Sequence, residues 1–168
     1  MKSLSAIALA VSVLLLSGCG YRPLYGTSAD SAGVTATLAS VAIPPADTRL
    51  GQLIRNDLLS SMRGGNGGER YTLVLKPDSK IIGVIEKPQP NVTRQAVRVS
   101  VNFDLIERGT GNKIHSGKTF SQASYDLVRQ PFADMQAETN ATERAAHEVA
   151  ADVRTRLAAY FATNPAAQ

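Results

Sequence analysis

Val97-Arg98-Val99-Ser100-Val101-Asn102-Phe103-Asp104-Leu105, residues 97 to 105, alternates apolar and polar side chains without a break. Successive side chains of an extended strand point to opposite faces, so the odd positions suit a core and the even positions suit water. An α-helix cannot bury this pattern, because its apolar stripe needs spacings of three and four. The stretch therefore predicts a half-buried strand, and with it a sheet with one dry face and one wet face.

The flanks extend that reading. Gly109-Thr110-Gly111-Asn112 supplies the turn chemistry of a hairpin. A return strand is expected over Lys113 to Leu127. There Ile114 and the later set Thr119, Ser121, Ala123, Tyr125 and Leu127 fall on opposite parities, which a bulge near Gly117 would reconcile. Upstream, Lys87-Pro88-Gln89-Pro90-Asn91 reads as a loop. Tyr71 to Leu75 and Ile81 to Ile85 read as strand, as one long strand bent near Pro77 and Gly83.

Helical periodicity occurs twice. Leu50, Ile54, Leu58 and Met62 recur every four residues with Leu53 widening the stripe, so a helix is expected from about Asp47 to Arg63. Asp47 or Thr48 can cap its start, and Gly64-Gly65 can end it. Glu138 to Phe161 reads as a long helix with Ala145, Val149, Val153, Leu157 and Tyr160 or Phe161 on one stripe, ended by Asn164-Pro165. Val34 to Ile43 alternates weakly and is expected to be the first strand, with Val41 and Ile43 inward and Pro44-Pro45 as its stop. The order is β-α-β-β-β-α. This is an α/β chain, an α+β two-layer sandwich in which two helices cover one face of a roughly four-stranded sheet. One domain over residues 34–163 is expected, followed by a tail at 164–168.

The N-terminal part reads as an export and anchoring signal. Lys2 is followed by a thirteen-residue stretch, Leu4 to Leu16, interrupted only by Ser5 and Ser12. That falls short of the roughly 20 apolar residues a bilayer-spanning helix needs, and it suits the apolar region of a secretory signal. Leu16-Ser17-Gly18-Cys19 then places small residues before the chain's one cysteine. The triplet resembles the lipobox of bacterial lipoproteins, so residues 1–18 are expected to be a lipoprotein signal peptide and Cys19 the lipidated first residue of the mature chain. A buried apolar thiol or an intermolecular disulfide would leave the charge, the apolar run and the small residues unexplained. Gly20, standing where inner-membrane lipoproteins carry Asp, points to the outer membrane. Acyl chains at about 0.8 kcal/mol per buried methylene would make attachment nearly permanent. Residues 19–33, rich in Gly, Pro and Ser, read as a lipidated tether.

Composition excludes several function classes. With 168 residues, 43% apolar and 19% charged, the chain suits one folded domain and not a disordered one. Gly64-Gly65-Asn66-Gly67-Gly68 follows a helix and lacks the Gly-Lys-Ser/Thr ending of a phosphate loop, so a linker explains it. His147-Glu148 lacks the second histidine of a zinc pair, because Ala151 stands there. His115 has no cysteine or histidine near it in sequence. No Ser occupies a Gly-x-Ser-x-Gly elbow. No cofactor is expected beyond the covalent lipid on Cys19, and no metal or catalytic residue. Asn91-Val92-Thr93 and Asn140-Ala141-Thr142 are glycosylation sequons by spelling only. Tyr71, Phe103, Tyr125 and Phe161 are expected in the core.

Charge is the remaining clue. The net charge is +4, and it is uneven. Between Arg70 and Lys118 nine basic residues stand against four acidic ones, whereas Thr119 to Gln168 carries four against six. Lys76, Lys80, Lys87, Arg94, Arg98, Lys113 and Lys118 make the sheet region positive. A solvated face would account for them, and so would an anionic ligand or an acidic partner. Export makes nucleic acid an improbable partner.

The segment Cys19-Gly20-Tyr21-Arg22-Pro23-Leu24-Tyr25-Gly26 resembles the mature start of alphaproteobacterial members of the LptE family of LPS-assembly lipoproteins. The likeness continues in Leu50-Gly51-Gln52-Leu53-Ile54-Arg55-Asn56-Asp57-Leu58, in Thr93-Arg94 through Val101-Asn102, and in the last helix. The resemblance implies a non-enzymatic protein on the periplasmic face of the outer membrane. It would sit as plug and assembly factor in the lumen of the large β-barrel protein LptD and bind lipopolysaccharide on its way to the cell surface. Under that reading Lys87, Arg94, Arg98, Lys113 and Lys118 are the candidate lipopolysaccharide or anion-binding residues, with Arg129 before the last helix a further cation. The alternative is an auxiliary or scaffold lipoprotein of another envelope lipid-transport system. An anchored hydrolase would need a nucleophile and base that the chain does not spell.

Overall fold

The computed structural model describes residues 29–62, 69–83 and 93–164. Cys19, Lys87, the Gly-rich segment 64–68, the loop 87–91 and the end of the tail lie outside the described residues. In chain order the elements are α1 (Ala29–Ala39), β1 (Val41–Ala42), α2 (Arg49–Met62), β2 (Tyr71–Gly83), β3 (Thr93–Glu107), β4 (Lys113–Leu127) and α3 (Pro131–Thr163). The strands form one sheet in the order β1-β2-β3-β4, parallel between β1 and β2 and antiparallel thereafter. The α+β class expected from the sequence is the class observed.

The stretch that predicts the sheet supplies its centre. Val97, Val99, Val101, Phe103 and Leu105 are buried on one face of β3, and Ala145, Val149, Val153, Leu157 and Phe161 of α3 are buried in the same core. Ile54, Leu58 and Met62 of α2 complete it, as their spacing predicts. At one end Tyr71 packs on Phe161 with ring centroids 5.4 Å apart. Polar pairs tie the helices to one another and to the sheet: Arg49 to Glu143, His147 to Asp57, Thr119 to Asp152 and Ser121 to Glu148. His147 is therefore a partner in an interhelical pair.

β2 is a single strand. Its register with β3 runs unbroken from Tyr71↔Glu107 to Gly83↔Gln95 and passes through Pro77↔Val101. The hairpin turn forms as predicted, with Gly111 at φ 71° and its N–H donating to the Glu107 carbonyl at 2.8 Å. The bulge is displaced from its expected place. Leu105 pairs with His115 and Ile106 with Lys113, so the extra residue is Ile114 and not a residue beside Gly117. A glycine in a strand marks either a bulge or a close approach. Gly117 is the second kind, because it lies under the Phe103 ring.

Two further boundaries differ from the sequence reading. Residues 34–39, expected as strand, belong to α1, and strand is confined to Val41–Ala42. Val34 and Leu38 stand four apart and are both buried, so the helical period wins over a weak alternation. Helix thus begins inside the segment read as tether, at Ala29, and three helices pack where two were expected. The last helix starts at Pro131, seven residues before the expected Glu138. Pro131 is favourable in a first turn, and Asp134 accepts the Val128 N–H at 2.8 Å. The added turns expose Phe132 and Met135, so they carry no apolar stripe to read. Thr48, one of two expected caps, accepts the Gly51 N–H through its Oγ1 at 3.1 Å. Asn164 closes the far end by donating to the Tyr160 carbonyl.

Candidate functional site

Even-numbered side chains of the three long strands emerge on the face of the sheet opposite the helices. The register sets them in rows. Lys76, Asn102 and Lys118 lie across from one another, then Asp78, Ser100 and Phe120, then Lys80, Arg98 and Gln122. Arg94 and Asp126 form a row beyond these, and Asp104 and Ser116 another on the opposite side. Four cations thus surround one aspartate and one aromatic ring at the middle of a surface that no other described element covers.

The structure brings four of the five sequence-predicted cations, Arg94, Arg98, Lys113 and Lys118, to this one face. The fifth, Lys87, lies outside the described residues. Their surroundings divide them. Lys113 lies 3.4 Å from Asp104, which also faces Lys76 at 3.8 Å. Arg94 lies 3.5 Å from Asp126, and Lys80 lies 3.8 Å from Asp78. Arg98 instead stacks on Phe120, its guanidinium carbon 4.8 Å from the ring centroid, and donates to the Gln122 amide oxygen when that amide faces it. Among the described residues neither Arg98 nor Lys118 has a carboxylate within ion-pair distance. These two are the cations with charge to offer a ligand.

Phe120 is the part of the site that charge counting misses. It is 59% exposed in the middle of a strand whose neighbour Thr119 is buried. The signal was present, since Phe120 shares the parity of Lys118 and Gln122 and not that of the core set. A flat surface of this kind can hold phosphate or carboxylate by charge-assisted hydrogen bonds from Arg and Lys, and it can lay an apolar group on the ring. Among the described residues of this face no nucleophile has a base beside it.

The buried side of β4 is polar in a different way. Burial pushes the Asp152 carboxyl up, but hydrogen bonds from Thr119 and Arg156, with the Arg156 charge, outweigh this and hold it below its ordinary value. His115 stacks on Tyr160 with centroids 4.5 Å apart and sits 5.9 Å from Phe103. Burial, then the Arg156 charge, pushes its pKa down. Tyr125 donates to Gln95 Oε1 at 2.7 Å. These groups serve packing. Among the described residues no set of three or more His, Cys, Asp or Glu side chains is placed to hold a metal ion, and no helix is long and apolar enough to cross a membrane.

The same architecture occurs in solved proteins. A suggested lipoprotein from Caulobacter crescentus CB15 is 29% identical, with a TM-score of 0.65 over 79% of this chain and 97% of that one. A minor lipoprotein from Acinetobacter baumannii, at 18% identity, has a TM-score of 0.55 over 71% and 89%. Rare lipoprotein B from Shewanella oneidensis, at 16%, has 0.54 over 74% and 95%. The last two show the fold alone. No curated protein matches the sequence. The family model described as LptE, lipopolysaccharide-assembly, matches residues 36–157, from α1 to the last turns of α3. By fold and by that match, the chain belongs to the LptE family of lipopolysaccharide-assembly lipoproteins.

Proposed function

We propose that this chain is an outer-membrane lipoprotein, fastened through Cys19, that occupies the lumen of an LptD-like β-barrel and binds lipopolysaccharide on its uncovered sheet face. Membership in a non-enzymatic, envelope-associated family supports the class of role. The observation that carries the ligand is the pair Arg98 and Lys118, two cations without carboxylate partners among the described residues, on either side of an exposed phenylalanine. Phosphates of a lipid A headgroup would take the cations, and an apolar part of the same amphiphile would cover the ring. The acyl anchor would hold the domain at the periplasmic leaflet, and Gly20 favours that address over the inner membrane.

The test is direct. Arg98→Gln combined with Lys118→Gln should weaken binding of purified lipopolysaccharide about tenfold at low salt, the loss shrinking as ionic strength rises. Lys113→Gln removes a cation already held by Asp104 and should change binding less than about threefold. Equal effects from both variants would show that only bulk charge matters. The plug is tested separately: the lipidated chain should co-purify from detergent with a barrel of much larger mass, and recovery of the chain alone would refute it.

A further inference from the structure

The two edges of the sheet are built differently. β1 covers β2 for two residues only, so β2 is an edge from Leu73 to Gly83. That edge carries Pro77 and the charged Lys76, Asp78 and Lys80, and the Pro44–Thr48 loop lies against it, lining one hollow with Val74, Leu75 and Pro77. Proline, charge and loop cover are the devices that stop an edge from recruiting another strand. β4, the other edge among the described residues, is 15 residues long. From Ile114 to Tyr125 it has no proline and Lys118 as its one Lys, Arg, Asp or Glu, and its irregularity lies near one end.

The register identifies which backbone groups of β4 are unused by β3. Opposed residues of an antiparallel pair alternate between those that exchange hydrogen bonds and those whose N–H and C=O point away. The Arg108 N–H donates to the Arg70 carbonyl, so even positions of β3 bond toward β2. The Glu107 N–H donates to the Asn112 carbonyl, so odd positions bond toward β4. Pro77, opposite Val101, then turns its missing N–H to the edge, the side on which a strand tolerates proline. The Ser124 carbonyl accepts from Arg144 Nη2 at 3.0 Å, which places it on the outward side too. Ser116, Lys118, Phe120 and Gln122 therefore aim their N–H and C=O groups away from the sheet.

We infer that β4 is a strand-addition site, and that its occupant is an extended segment of the barrel partner with a carboxylate on the side of the open face. The inference rests on the barrel reading above. Main-chain hydrogen bonds at Ser116, Lys118, Phe120 and Gln122 supply the attachment, and side chains on alternate positions supply the selection. The carboxylate meets Lys118, which stands where the face meets the edge, and an apolar residue lies beside Phe120, so this segment and lipopolysaccharide take Lys118 and Phe120 in turn and not together. A second copy of this chain fits less well. Pairing β4 with itself about Phe120 sets Lys118 opposite Gln122 and brings no carboxylate to the lysine.

Residue-resolved amide exchange on the full lipidated chain, alone and in complex with its barrel in detergent, tests this. Alone, the amides of Lys118, Phe120 and Gln122 should exchange at least about tenfold faster than those of Thr119, Ser121 and Ala123. In the complex they should slow by about tenfold or more. An intact complex in which they stay fast overturns the edge inference and leaves the plug reading standing. Recovery of no complex brings down both. Protection in the isolated chain at doubled mass assigns the edge to a second copy and also overturns it. Gln122→Pro removes an outward N–H and the amide that accepts from Arg98 but no hydrogen bond to β3, so it should lower complex yield about tenfold while leaving the melting temperature nearly unchanged. A folded variant with normal yield refutes the inference, and if the variant fails to fold the exchange data on the unaltered chain decide.

Discussion

Gly117 lies directly across from Phe103, and a Cβ built on it would stand 2.4 Å from the ring Cζ and 2.8 Å from Cε1. The ring is almost fully buried, and His115 and the helix layer hold it over the strand. Glycine here is a packing requirement, because the one side chain that fits under the ring is a hydrogen.

Gly117→Ala should therefore cost about 1–3 kcal/mol, the range for overpacking a filled core. Urea denaturation measures it. Combining it with Phe103→Leu should recover part of the loss, since the two sites are in contact and their effects should not add. A Gly117→Ala chain as stable as the parent would show that the ring does not press on this strand.

Gly51 should reverse the usual helix rule. Alanine ordinarily gains about 1 kcal/mol over glycine inside a helix. A Cβ on Gly51 would meet the Ala46 Cβ at 2.8 Å and Thr48 Oγ1 at 3.0 Å, crowding the capping residue. Gly51→Ala should lower stability by about 1 kcal/mol, a shift of several degrees in melting temperature. An increase would mean that the loop before α2 yields freely.

His115 should make stability fall as the solution is acidified. Its folded pKa lies below the ordinary 6.5, so between the folded value and 6.5 the unfolded chain binds more protons. Stability present above 6.5 is lost as pH drops through the folded value. His115→Phe should remove that slope while keeping the stack on Tyr160, and denaturation midpoints measured across this window would show it. An unchanged slope would assign the pH dependence to other groups.

Asp152 should act in a more acidic range. Its folded pKa is held below the ordinary 3.8, so it stabilises the fold above 3.8 and the contribution is lost as pH falls through the lower folded value. Thr119→Val removes one of the two hydrogen bonds that lower it, so it should shrink this contribution and narrow the acid window over which it is lost. Side-chain titration by NMR should show the carboxyl moving up. A carboxyl that stays put would mean that the Arg156 guanidinium alone sets it.

Legibility followed the strength of the periodic signal. Val97–Leu105 and the four-residue spacing of Leu50 to Met62 were read to within a few residues, because each buries one continuous face. Val34–Ile43 was misread because its apolar residues fit both periods, and packing of Val34 and Leu38 chose the helical one. The first turns of α3 carried no readable stripe because their apolar residues face outward. Parity predicts a bulge near Gly117, but the smallness of this residue serves the Phe103 ring, a contact between strands that meet only after the hairpin closes.

By itself the amino-acid order determined the class of fold, the hairpin, the two principal helices and the sign of the charge on the sheet, all of which depend on neighbours within a few residues. Tertiary structure alone decided that Arg98 stacks on Phe120, that Asp104 and Asp126 occupy Lys113 and Arg94, and that among the described residues Lys118 has no such carboxylate and one sheet edge is guarded while the other is not. Those outcomes depend on register across strands, and register is settled only when the buried faces of sheet and helices come together.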